Sequence, residues 1–185
     1  AAGPDAWQGA IAAGILGMGS VVAGSSETAG RYLGELVDRV RESGQDTDTV
    51  ARESLEELKA RRQKVPGLGH PQHSSGDPRA DRLLAVAAQE GVEGEHIAMI
   101  KAVARHAPGI MNRPLPINVS GAIPALMLDA GFPRGAMKGV PILARTAGLV
   151  AHLLEESQRS IGFIMSNHAD QAISYDGLPA RKDDR

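Results

Sequence analysis

Cysteine is absent from this 185-residue chain. That absence removes disulfides, thiol nucleophiles and cysteine-based metal sites, and it makes a reducing cytoplasm the natural compartment. Aromatic residues are scarce, 3% against 42% hydrophobic residues in all. The core must therefore be aliphatic and alanine-rich, and small side chains let helices approach closely. No charge sign dominates, since 20 Lys and Arg face 22 Asp and Glu for a net charge of -2. Such a balance offers no footprint for nucleic acid and no basic face for a membrane surface. Long apolar runs are also lacking. The nearly uncharged stretch from Ala6 to Ser26 is broken by Gly9, Gly14, Gly17, Gly19 and Gly24, and it reads as a buried core helix and loop rather than a membrane span. Ala1 to Asp5 carries no basic region of a secretory signal. No G-x-x-x-x-G-K-[ST] loop is present, which excludes a P-loop for ATP, and the six histidines show no H-E-x-x-H spacing. The expectation is no metal.

What remains is a succession of helical patterns. Ser26 is a candidate N-cap for a helix to Ser43, with Leu33, Leu36, Val37 and Val40 on one face and Gly44 as its stop. Thr47 to Gln63 reads as a charged helix anchored by Val50, Leu55 and Leu58. Asp77-Pro78 opens another, with Leu83, Leu84, Val86 and Ala87 facing inward. Further helical segments cover Glu95 to Ala107, Ile117 to Asp129 and Arg134 to Ser157. The tail from Lys182 to Arg185 is charged and expected to fray. No segment sustains strand alternation and no internal repeat is found, so the fold class expected is all-α.

Three segments can carry chemistry. In Val65-Pro66-Gly67-Leu68-Gly69-His70 the glycines let backbone groups come close to a ligand. His70 can polarise a carbonyl or donate to an enolate oxygen. Arg79, in the first turn of the next helix, offers a planar fork to a carboxylate. An ordinary turn with Asp77 as a cap is the plainer alternative. The second segment holds Arg145 in an apolar helix, with Leu149 and His152 on the same face. Burying that arginine is costly without an anion or a carboxylate such as Glu155 or Glu156. The third segment is Asn118-Val119-Ser120-Gly121, where Asn118 or Ser120 can cap a helix.

Together these segments resemble the citrate synthase / citryl-CoA lyase family. Val65 to His70 followed by Asp77-Pro78-Arg79 is similar to the family's glycine-flanked histidine and DPR triplet at the same spacing. Asn118-Val119-Ser120 resembles its NVD segment, Ala144 to Gly148 with His152 and Glu155-Glu156 its substrate-arginine helix, and Ile173 to Gly177 its C-terminal tail. The resemblance implies a citrate synthase-like helical fold whose N-terminal helices have no counterpart here. It divides the chain into core helices of a large domain at 1–45, a small, CoA-side domain at 46–115 and a return to the large domain at 116–185.

The same resemblance implies a reaction that makes or cleaves a C–C bond between an acyl-CoA enol and a keto-acid. His70 matches the histidine that holds the ketone or alcohol oxygen, Arg79 and Arg145 match carboxylate-binding arginines, and Val65, Pro66, Gly67, Leu68 and Gly69 match the loop that meets the adenine of coenzyme A. The implied ligands are an acyl-CoA and a small carboxylate, and the implied assembly is a cytoplasmic homodimer with its site near the interface, which the Ala6–Ser26 segment would suit. Departures accompany these matches. Ser120 stands where the family has its catalytic aspartate, and a serine hydroxyl is no base at neutral pH without an activating neighbour. Gly17 to Gly24 contains no enol-stabilising histidine, and Ser160 to Ala172 no match for a further arginine. Losing a base or an enol stabiliser costs about 10²–10⁴ in rate. Two expectations follow: an atypical lyase or synthase, favoured by His70, Arg79 and Arg145, and a non-catalytic relative that binds CoA or a carboxylate as regulator or subunit, favoured by Ser120 and the missing histidine.

Overall fold

The computed structural model describes residues 5–69, 76–174 and 176–177. The protein is all-α: 74% is helical, and the described residues contain no strand. The order is α1 (Trp7–Ala23), α2 (Ser25–Ser43), α3 (Thr47–Ala60), α4 (Pro78–Gln89), α5 (Glu95–Met111), α6 (Val119–Asp129), a 3-10 turn at Arg134–Ala136, α7 (Gly139–Gln158) and α8 (Gly162–Ala172). Two compact units are formed, one from Ile15–Arg145 and the other from Ala1–Gly14 with Thr146–Arg185.

Local chemistry explains most boundaries. Asp77 caps α4 by accepting from the Arg79 N–H, with Pro78 in the first turn. Asp46 caps α3 by accepting from Thr49 N at 2.9 Å. Gly44 ends α2 in the left-handed conformation at φ 69, as its position after the apolar stripe predicts. Asn118 and not Ser120 caps α6, through Gly121 N.

Other expectations are corrected. The N-cap of α2 is Gly24, while Ser26 is buried within the first turn, because α1 runs into α2 with no intervening loop. Arg134 belongs to a separate 3-10 turn, and α7 starts only at Gly139. Helix α8 has no apolar stripe to announce it and was not anticipated. Helix α1 is apolar around its whole circumference, so its composition names no buried face. In the single chain Leu16 is 81% and Val22 51% exposed, against the expectation of a buried core helix. Among the described residues no helix is long and apolar enough to cross a membrane.

The core lies in the Ile15–Arg145 unit, where α3 packs on α5 while α6 packs on α2, α4 and α5. It is aliphatic and alanine-rich as the composition requires. Leu33, Val37, Val50, Leu55, Ile97, Met99, Ile100 and Val103 are buried among Ala51, Ala87, Ala102, Ala107 and Ala125. Asp129, at the end of α6, clamps the start of α5. Its carboxylate accepts from Gly94 N (2.8 Å), His96 N (3.0 Å), Ile97 N (2.9 Å) and the His96 ring Nδ1 (2.8 Å). Burial opposes its charge, but the His96 imidazole and the three backbone N–H groups hold the carboxyl below its ordinary range. In the other unit Glu156 accepts from Ile161 N and Gly162 N, which fixes the start of α8.

Candidate functional site

Loop 65–69 closes against the chain entering α6. Gly67 and Gly69 have φ of 82 and 75, conformations that disfavour any side chain. Leu68 pairs with Ile117 in an isolated antiparallel bridge. Gly69 N donates to Pro116 O at 2.7 Å, Asn118 N donates to Gly67 O at 3.0 Å, and Asn118 Nδ2 donates to Gly69 O at 2.6 Å. A methyl group on Gly67 would stand 2.8 Å from Gly121 Cα. These glycines thus permit contact of the loop backbone with the first turn of α6, and several of the backbone groups that could meet a ligand are committed within the protein. Val65 and Leu68 are buried and anchor the loop on the core.

Asp77 joins this loop and helix to α4. Its side chain is fully shielded from solvent. Oδ1 accepts from Arg79 N at 3.1 Å and Arg79 Nε at 2.9 Å; Oδ2 accepts from Arg79 Nη2 and from Val119 N, both at 2.9 Å. The Arg79 guanidinium holds the Asp77 carboxyl far below the ordinary carboxylate range; burial opposes this, and the Val119 and Arg79 N–H groups add to it. Arg79 itself is half exposed, with its fork fixed side-on by the carboxylate. Ser120 follows Val119 in the first turn of α6, half-buried at a helix N-terminus whose potential favours negative charge.

The structure therefore brings together Val65–Gly69, Arg79 and Ser120 in one hydrogen-bonded unit. His70 lies outside the described residues. Arg145 is on α7 and is exposed, so it carries no cost of burial for an anion or a carboxylate to offset. The carboxylates that sequence offered it are engaged elsewhere: Glu155 by Arg159 and Glu156 by the start of α8. No described hydrogen bond or ion pair joins Arg145 to the cluster around Asp77. Sequence reasoning treated Asp77 only as a cap and missed its hold on both Arg79 and Val119. The DPR triplet, an acid two residues before an arginine, was the available signal. Among the described residues no group of His, Asp and Glu could hold a metal ion.

Comparison with known proteins gives this arrangement its family. The family model for the citrate synthase C-terminal domain matches residues 8–164. Citryl-CoA lyase from Hydrogenobacter thermophilus superposes with a TM-score of 0.80 at 30% identity, over 96% of this chain and 66% of that one. Citrate synthase from Thermotoga maritima MSB8 gives a TM-score of 0.63 at 19% identity, over 91% of this chain and 42% of that one. ATP citrate lyase from Methanothrix soehngenii, solved in complex with citrate and coenzyme A, gives 0.64 at 23% identity, over 93% and 29%. The last two show the fold alone. The chain spans just under two thirds of the length of the first of these relatives and under half of the other two. No curated protein sequence matches. By the profile over residues 8–164 and the fold it shares with these structures, the chain belongs to the citrate synthase family.

Proposed function

We propose that this protein takes part in citryl-CoA lyase or citrate synthase-like chemistry, making or cleaving a C–C bond between an acyl-CoA enol and a keto-acid. The observation that carries the reading is the joint at Asp77. It ties the Arg79 fork to the start of α6, which Asn118 bonds in turn to loop 65–69. Arg79 and Arg145 are assigned to substrate carboxylates, whose planar geometry suits a guanidinium. Loop 65–69 is assigned to the adenine of coenzyme A, and His70 to the ketone or alcohol oxygen. Coenzyme A enters as the acyl-CoA substrate, an assignment supported by the family resemblance and by the 30% match to a citryl-CoA lyase. The domain division at 1–45, 46–115 and 116–185 belongs to the same reading. So do a cytoplasmic location and a homodimer that covers the exposed apolar residues of α1.

Two departures favour a second reading. Ser120 occupies the position of the family aspartate and Gly17–Gly24 lacks histidine, as suits a relative that binds CoA or a carboxylate without turnover. Purified protein is incubated with citryl-CoA, and separately with acetyl-CoA plus oxaloacetate, and the thioesters are followed by mass spectrometry. Turnover that disappears in His70→Ala and Arg145→Ala is the expected result. CoA binding without turnover selects the second reading, and absence of both overturns the proposal.

A further inference from the structure

We infer that Asp77 is a positioning residue that couples the Arg79 carboxylate fork to the start of α6, so that carboxylate binding and the placement of Ser120 depend on one buried side chain. The inference rests on the reading of Arg79 as a carboxylate binder, and it adds a role for a residue which that reading leaves as a helix cap.

Four donors converge on the Asp77 carboxylate, from two segments far apart in sequence. Three come from Arg79 and the fourth is Val119 N. An ordinary N-cap needs only the bond to a backbone N–H of the first turn, here Arg79 N. The bonds to Nε and Nη2 go further: they use two of the five guanidinium N–H donors and hold the fork edge-on. The bond to Val119 N fixes the first residue of α6, and Ser120 is its neighbour. Loop 65–69 has anchors of its own, since Asn118 bonds Gly67 O and Gly69 O independently of Asp77. Each oxygen of Asp77 faces two donors. An asparagine must therefore turn its NH₂ toward either Arg79 Nε and Arg79 N or toward Arg79 Nη2 and Val119 N, and neither orientation relieves the clash of donors. This makes Asp77→Asn a sharp perturbation at nearly constant volume.

The test uses the full chain as wild type, Asp77→Asn, Arg79→Ala and the double variant, with citrate and coenzyme A affinities measured separately by calorimetry. Removing charge-assisted bonds that orient a ligand-binding fork is expected to weaken citrate binding about tenfold or more. Coenzyme A affinity should change less than threefold. In the Arg79→Ala background Asp77→Asn should cost citrate nothing further, which a merely structural role would not reproduce. An unchanged citrate affinity in Asp77→Asn overturns the inference, as does an equal loss in the Arg79→Ala background. If the wild type binds no citrate, the ligand reading has failed and the joint is judged by NMR. Loss of protection at Arg79 Nε–H and a shifted Val119 amide in Asp77→Asn uphold the coupling, and unchanged signals overturn it. Should Asp77→Asn not fold, Arg79→Lys at its half-exposed position replaces it: the Val119 and Ser120 amides are expected to move, and their staying in place overturns the coupling.

Discussion

Alanine at position 121 sets two effects of opposite sign against each other. Gly121 lies in the first turn of α6, so a methyl group there gains up to about 1 kcal/mol of helix propensity. That same Cβ would stand 2.5 Å from Gly67 O and 2.7 Å from both Gly67 Cα and Ile100 Cδ1. The tip of Ile100 can turn aside, but the Gly67 backbone cannot retreat without stretching the bonds from Asn118 N to Gly67 O and from Asn118 Nδ2 to Gly69 O. Overpacking costs about 1–3 kcal/mol, and each of the two bonds contributes about 0.5–1.5 kcal/mol. The balance is a destabilisation of roughly 1–5 kcal/mol. Gly109, in α5 of the same unit, is the control because a Cβ there meets nothing within 4 Å. Gly109→Ala should be neutral or stabilising by up to about 1 kcal/mol. Urea unfolding followed by far-ultraviolet circular dichroism compares the midpoints, with equal slopes as the condition for reading them as stability. A Gly121→Ala protein that unfolds at the wild-type midpoint or above refutes the backbone-to-backbone docking of loop 65–69 on α6.

Four further outcomes rest on the same structure. Asp129→Ala strands three backbone N–H groups at the start of α5 and is expected to cost about 2–4 kcal/mol, with faster hydrogen exchange at Ile97 as the local readout. Because the folded-state pKa of Asp129 is lowered, its contribution is present above the unfolded carboxylate value of about 3.9 and is lost as pH falls through the folded value; acid unfolding of Asp129→Asn should accordingly be less steep than that of the wild type. The Tyr32 phenol is pushed up to about 12, chiefly by burial with the Ser54 hydrogen bond working against it. A raised value means that its contribution is complete below the unfolded pKa of about 10 and is lost as pH rises through 12, so in a Tyr175→Phe background tyrosinate absorbance should rise near 12 rather than near 10. Ser120→Asp places a carboxylate at a helix N-terminus that favours it and should raise any citryl-CoA turnover by about 10²-fold; unchanged turnover shows that residue 120 is not the position of the missing base.

Elements with local punctuation were legible in the sequence. Asp77-Pro78 marks the start of α4 and Gly44 the end of α2, and the chemistry that fixes each lies within a few residues of it. Where the deciding partner is remote, sequence reading failed. Nothing near Gly94 shows that α5 is capped by Asp129 from the end of another helix. Ser26 has the right residue type for an N-cap, but α2 already starts at Ser25 after its cap Gly24, which leaves Ser26 inside the first turn. At the site, the spacing of Val65–Gly69, Asp77-Pro78-Arg79 and Asn118–Ser120 is one-dimensional information and was readable. The second allegiance of Asp77, to Val119, is a tertiary contact with no local mark. Arg145 shows the converse: its apolar sequence neighbourhood raised the question of a costly burial, and the helix turns this arginine outward.

The acid–base inventory of the site separates binding from turnover. Asp77 is the carboxylate joined to the start of α6, but it is held ionised and its two oxygens already face four donors, so taking a proton from a substrate would break the joint it forms. Asp129 is committed in the same way at the start of α5. Neither can stand in for an acid at residue 120. Carboxylate recognition requires no proton transfer, and the proposed reading assigns it to the Arg79 fork, which is present and half exposed. A loss confined to residue 120 raises the barrier of one shared transition state, and by microscopic reversibility it slows cleavage and condensation by the same factor. Under the proposed reaction, residue 120 therefore sets how fast it runs and not which way. In that same proposed reaction, direction belongs to the relative concentrations of citryl-CoA, acetyl-CoA and keto-acid, while the proposal places affinity in the unit that Asp77 holds together.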